Sequence, residues 1–131
     1  MPHDLLQSAR HAIAGFLRAW RGERNVRLFL LGYVFVLFLG LLLDLSKGEW
    51  FALLITGGMF LSVELLNTSI EYVADIVDDH LKAAHCTHNF EDMKMVKDVA
   101  AAASLVSFLI VAGTVVAIFV PHISKVLGDR F

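Results

Sequence analysis

The sequence predicts an all-α integral membrane protein, with three transmembrane helices preceded by an amphipathic helix at the membrane surface. A mean hydropathy of +0.68 and a hydrophobic content of 57% are the first reason. The second is three apolar segments, each close to the roughly 20 residues that a helix needs to cross about 30 Å of hydrocarbon. A soluble domain of 131 residues has too much surface for its volume to hide that apolar area in its own core. Residues 1–131 read as a single domain, without an internal repeat, low-complexity tract or linker.

Residues 4–24 form the expected surface helix. Leu5, Leu6, Ile13, Phe16, Leu17 and Trp20 interleave with Arg10, Arg18, Arg21 and Arg24, and Trp20 with the arginines suits the headgroup zone. A short soluble helix packed on the bundle is the other reading of the same pattern. No secretory signal is expected, because this arm has no continuous apolar run before a small-residue cleavage site.

The three spans are expected at about 28–45, 50–73 and 99–120. The first is uniformly apolar and the third nearly so. The second begins apolar and then acquires Glu64, Asn67, Glu71 and Asp75. Cytoplasmic loops carry the Lys/Arg excess. The five arginines of the N-terminal arm, and Lys82, Lys94 and Lys97 between spans two and three, therefore predict an inner-membrane protein with its N-terminus inside and C-terminus outside. Residues 75–98 would lie in the cytoplasm.

With Glu64 at zero and 100° per residue, Asn67 falls at about 300°, Glu71 at about 340°, Asp75 at about 20° and Asp78 at about 320°. These residues share one narrow face. A carboxylate at membrane depth costs roughly 2.5–3.5 kcal/mol or more, so aligned acids call for a cation, a metal or a wet cavity. A polar seam between helices would account for Asn67 and Thr68 but poorly for the acids. Glu23 and Arg27 on the arm have the spacing of a surface ion pair, and Lys97-Asp98 reads as the charged start of the third span. Both could also complete a site facing the stripe.

The chain has no GxxxxGK[ST], GxGxxG, HExxH or GxSxG motif, which excludes conventional soluble nucleotide folds and these hydrolases. Gly57-Gly58 reads as a close helix contact. A net charge of −2 gives no reason to expect nucleic acid as a partner. Phosphoryl transfer needs chiefly positioning and electrostatics, and clustered Glu and Asp with one Lys can supply these. Hard oxygen ligands with room for water favour Mg²⁺ over zinc.

The run Glu64-Leu-Leu-Asn67-Thr68-Ser-Ile-Glu71-Tyr-Val-Ala-Asp75, with Lys97-Asp98 after it and Glu23-Arg-Asn-Val-Arg27 before it, resembles the prokaryotic diacylglycerol kinase family, which includes the undecaprenol kinases. The likeness covers roughly residues 8–120. It implies a homotrimer with active sites shared between subunits at the cytoplasmic membrane surface, and ATP-dependent phosphorylation of a membrane lipid. It also implies roles: Glu64 as general base on the lipid hydroxyl, Asn67 positioning the reacting groups, Glu23 and Glu71 holding Mg²⁺ with the ATP phosphates. Lys97 would contact phosphate, Asp98 the nucleotide, and Arg10 phosphate.

Between undecaprenol and diacylglycerol, the GERNVR stretch and the Asn67-Thr68 pair look more like the undecaprenol kinases. The segment from Asp75 to Lys97 is longer than the family leads one to expect. It holds His80, His85, Cys86 and His88, read as a solvated loop, with transition-metal binding as the alternative despite a spacing that is no standard zinc pattern. Cys86, the sole cysteine, excludes an internal disulfide. A non-enzymatic channel or ion-binding assembly lined by the same acids, and an accessory subunit of a larger complex, remain open at this level.

Overall fold

The computed structural model describes residues 2–83 and 90–128 as four helices: α1 Pro2–Gly22, α2 Arg24–Leu42, α3 Lys47–Ala83 and α4 Phe90–Gly128. Among these, α2, α3 and α4 are long and apolar enough to span a membrane. The backbone of α1 is helical from its proline onward, with Asp4 in the first turn and Arg21 in the last, each matching the sign of the helix dipole there.

The chain breaks at Glu23, whose extended backbone (φ −100, ψ 121) caps α2 without a side-chain bond. Breaking there orphans the last carbonyls of α1. The Arg27 guanidinium satisfies two of them, donating to Trp20 O at 3.3 Å and Arg21 O at 2.8 Å. Arg27 is thus turned back to the end of α1, and the surface ion pair that its spacing from Glu23 allowed gives way to this cap.

The turn from α2 to α3 places Asp44 at φ 49, a left-handed conformation that aspartate tolerates better than bulky residues do. Ser46 and Glu49 then start α3 with a reciprocal capping box. The Ser46 hydroxyl accepts from the Glu49 N–H at 3.3 Å, and the Glu49 carboxylate accepts from the Ser46 N–H at 2.7 Å. A carboxylate oxygen of Glu49 also lies 3.7 Å from His122 on α4.

Where the sequence suggested a long loop over 76–96, the structure continues the helices. The 37 residues of α3 reach Ala83 and the 39 of α4 begin at Phe90. At 1.5 Å per residue each is about 55–60 Å long, well beyond the hydrocarbon thickness. The reason is that Ile76, Val77, Leu81, Met93 and Val96 keep helical sequence without glycine or proline. His80 therefore sits on α3, its Nδ1 2.7 Å from Ile76 O. His85, Cys86 and His88 lie outside the described residues, and no group of three or more His, Cys, Asp or Glu side chains placed to hold a metal ion forms among those described. Lys97 and Asp98, expected at a helix start, are instead two turns inside α4.

α3 and α4 form the principal antiparallel pair. The α3 side of their seam repeats with alternating steps of four and three: Leu53, Gly57, Phe60, Glu64, Asn67, Glu71, Ala74 and Asp78. Such a 3.5-residue period keeps one stripe against a partner helix over many turns. Opposite it, Lys97, Ala101, Ser104, Phe108, Val111, Val115 and Ile118 follow the same rhythm. The seam is apolar at one end, where Leu45, Leu53, Ile118 and Phe119 are buried with Trp50 and Leu39 against them, and polar at the other.

α2 meets α3 over a short stretch only. Tyr33 donates its hydroxyl to Leu53 O at 2.8 Å, and its ring lies over Gly57, where an added Cβ would fall 2.3–2.5 Å from ring atoms. The expected close contact is thereby located at Gly57; Gly58 faces open space. Gly57→Ala should overpack this crossing and lower stability by about 1–3 kcal/mol. Gly58→Ala should be neutral or slightly stabilising. Unfolding of detergent-solubilised protein with increasing SDS would measure both.

Candidate active site

The polar half of the seam is built by two rigid helices. Glu64 is 4% exposed, and the only group that reaches its carboxylate among the described residues is the hydroxyl of Ser104, which donates to Oε2. Asn67, 8% exposed, donates its amide nitrogen to Glu71 Oε1 at 3.0 Å, which leaves the carbonyl oxygen Oδ1 buried and without a partner. One turn further on, Lys97 forms an ion pair with Asp75 and lies within electrostatic reach of Asp78 and Glu71. Asp78 Oδ1 is the other buried side-chain oxygen without a hydrogen-bond partner among the described residues.

Glu23 joins this cluster from the α1–α2 break. It is half-buried, and the Tyr72 hydroxyl feels both its carboxylate and that of Glu71. The close approach comes from Gly22: a Cβ there would lie 2.8 Å from the Tyr72 hydroxyl. The stripe expected from helical spacing therefore exists as a cluster, with Glu64, Asn67, Glu71, Asp75, Asp78 and Lys97 gathered and Glu23 beside them. Asp98 and Arg10 are not gathered. Both are exposed, because Asp98 stands about 100° around α4 from Lys97 and Arg10 lies on the open side of α1.

An open groove of about 760 Å³ runs from this cluster between α2 and the α3–α4 pair. Its polar end holds Asn25, Glu64, Asn67, Glu71 and Ser104; the remainder is lined by Phe29, Tyr33, Val36, Phe60, Phe108 and other apolar side chains. Tyr33, Phe29, Phe60 and Phe108 make, in that order, a chain of ring contacts with successive centroids 4.2–5.7 Å apart. The groove joins a hydrocarbon-like channel to a carboxylate.

The donors at the polar end are carboxylates and one unpartnered amide carbonyl, the set that hard divalent cations such as Mg²⁺ take. Glu71, Glu23 and Asn67 Oδ1 fit such an ion chemically.

Residues 10–119 match the family described as prokaryotic diacylglycerol kinase. The undecaprenol kinase of Bacillus subtilis (strain 168) is 43% identical over 70 residues, 53% of this chain and 56% of that protein. The diacylglycerol kinase of Pseudomonas aeruginosa PAO1 is 36% identical over 89 residues, 68% of this chain and 71% of that protein. This chain thus aligns with just over half of the first relative and about seven-tenths of the second. No solved structure matches it.

The three apolar helices and these matches together define the class by likeness: an all-helical chain with three helices fit to span a membrane, similar to an undecaprenol kinase and a diacylglycerol kinase. The chain belongs to the prokaryotic diacylglycerol kinase family.

Residue spacing alone missed two members of the site. Ser104 was legible in principle, since it lies seven residues, two helical turns, after Lys97 and is the next polar residue on that face. Tyr72 was not, because its contact with Gly22 and Glu23 depends on where α1 ends. Ser104→Ala would leave the Glu64 carboxylate buried without a donor. A hydrogen bond to a charged group is worth about 1.5–3 kcal/mol, and a loss of that order in unfolding free energy is expected. SDS titration against wild type is the measurement.

Proposed function

We propose that this protein transfers the γ-phosphoryl group of ATP to the hydroxyl of a membrane lipid, with undecaprenol as the favoured acceptor. The observation that carries the proposal is the groove: apolar along most of its length, it ends on the buried Glu64 carboxylate with Asn67 and Glu71 beyond it. A long-chain alcohol lying in it would bring its single hydroxyl to Glu64.

The step then balances simply. The lipid oxygen bonds to the γ-phosphorus, the bond from that phosphorus to the β–γ bridging oxygen breaks, ADP leaves, and the hydroxyl proton passes to Glu64. Ser104 holds the Glu64 carboxylate in orientation, and Asn67 holds Glu71. Lys97, freed from Asp75 when phosphate competes for it, supplies positive charge to the phosphate oxygens. Glu71 and Glu23 are the residues that would hold Mg²⁺, which when bound offsets the negative charge of the triphosphate.

Asp98 and Arg10 contact nothing of the site within their own chain. Their family roles therefore fit a homotrimer in which each serves a neighbour's site, and the many exposed apolar side chains of α2 and α4 leave area for such packing. The basic residues of α1 favour a cytoplasmic N-terminus and a site at the cytoplasmic face. A channel is disfavoured by the seam itself, because Leu53, Ile118 and Phe119 close its outer half.

Diacylglycerol is the second reading, and the longer alignment with the Pseudomonas diacylglycerol kinase favours it. Pure protein offered both lipids in mixed micelles with Mg-ATP should label undecaprenol faster; preferential labelling of diacylglycerol would reverse the choice. Glu64→Gln should cut turnover by about 100-fold or more, the usual contribution of a general base, while the oligomer stays intact. Wild-type turnover by that variant would remove Glu64 from its role.

A further inference from the structure

A second cleft, of about 390 Å³, opens between α1 and α3 on a flank of α3 that the groove does not use. Ala12, Gly15, Phe16 and Ala19 form one side, with Leu65, Thr68, Ser69 and Tyr72 on the other and Arg18 contributing the only charge. No carboxylate lines it. A cation beside hydroxyls, in a cleft that no carboxylate lines, suits an anion in a place where lipid headgroups lie if α1 rests on the membrane surface.

Thr68 supplies the independent observation. It is 4% exposed, yet its hydroxyl has no hydrogen-bond partner among the described residues. Thr56, Ser62 and Ser69 of the same helix all return their hydroxyls to a carbonyl one turn back, at 2.8–2.9 Å. The Thr68 hydroxyl, on the wall of the cleft, is therefore available to donate to an acceptor that enters it.

We propose that this cleft binds the phosphate of an anionic bilayer phospholipid, with Arg18 and Thr68 donating to its oxygens and Phe16, Ala19 and Leu65 flanking the start of its acyl chains. Such a ligand would join α1 to α3 just where Tyr72 faces Glu23. The binding is independent of the kinase reading.

Gly15 provides a clean probe, because a Cβ built there meets nothing within 4 Å. Gly15→Leu should fill the cleft without a backbone clash while improving helix propensity. Full-length protein would be exchanged from phosphatidylcholine bicelles doped with phosphatidylglycerol into detergent, and the lipid retained per chain measured by mass spectrometry, with no ATP or acceptor lipid present.

Wild type should retain phosphatidylglycerol over phosphatidylcholine. Arg18→Gln, Thr68→Val and Gly15→Leu should each weaken retention by about tenfold, the effect of losing one charge-assisted contact or the space itself. Unfolding midpoints should stay at or above wild type for Gly15→Leu. Retention unchanged in both Arg18→Gln and Gly15→Leu would overturn the site. Displacement of the lipid by an equal concentration of inorganic phosphate would overturn the lipid assignment in favour of a soluble anion.

Discussion

The structure depends on one seam. α3 and α4 repeat their facing residues every three and four positions, and that rhythm does not change when the residues turn from Leu53 and Phe60 to Glu64, Asn67 and Glu71. Packing at the apolar end holds the two helices together. The same register then forces carboxylates into a position where water would normally be excluded. Buried acid is thus a result of packing geometry, and Ser104 and Asn67 are the local means by which it is tolerated.

The ends of the hairpin differ in how they are closed. The α2–α3 turn is held by the Ser46/Glu49 cap, with Gly40 permitting Leu45 and Trp50 to pack close, so that end has little freedom. The other end carries the Lys97–Asp75 pair, whose side chains are 31% and 60% exposed. Exposed ion pairs are weak because water and salt compete with them. A lysine held this loosely is available to an incoming anion, whereas a buried pair would not be.

Hydropathy and helical spacing made most of this arrangement legible, and the particular failures have physical causes. The three spans and the acid stripe follow from composition and a period near 3.6, both local properties of sequence. The helical overhangs were hidden because charged residues such as Asp78, Asp79 and Lys82 look like loop in a hydropathy reading, although they are compatible with helix. The cap made by Arg27 was hidden because i, i+4 spacing reads as an ion pair or a shared site only while the helix is continuous, and the chain breaks at Glu23. The Tyr72 contact required three elements to meet. No window along one helix contains that information.

The unbroken length of α3 has a last consequence. Glu64 and Glu71 ride on one stiff rod, seven residues and about 10 Å apart along its axis, without a proline, glycine or bulge between them. With the roles proposed for these two residues, the helix would act as a ruler that fixes the depth of the proton acceptor below the phosphate-handling residues. An acceptor alcohol finds its level from the thickness of the surrounding hydrocarbon, not from the protein. Bilayer thickness thereby becomes a parameter of alignment: a thinner or thicker leaflet slides the hydroxyl past the graduation at which Glu64 stands.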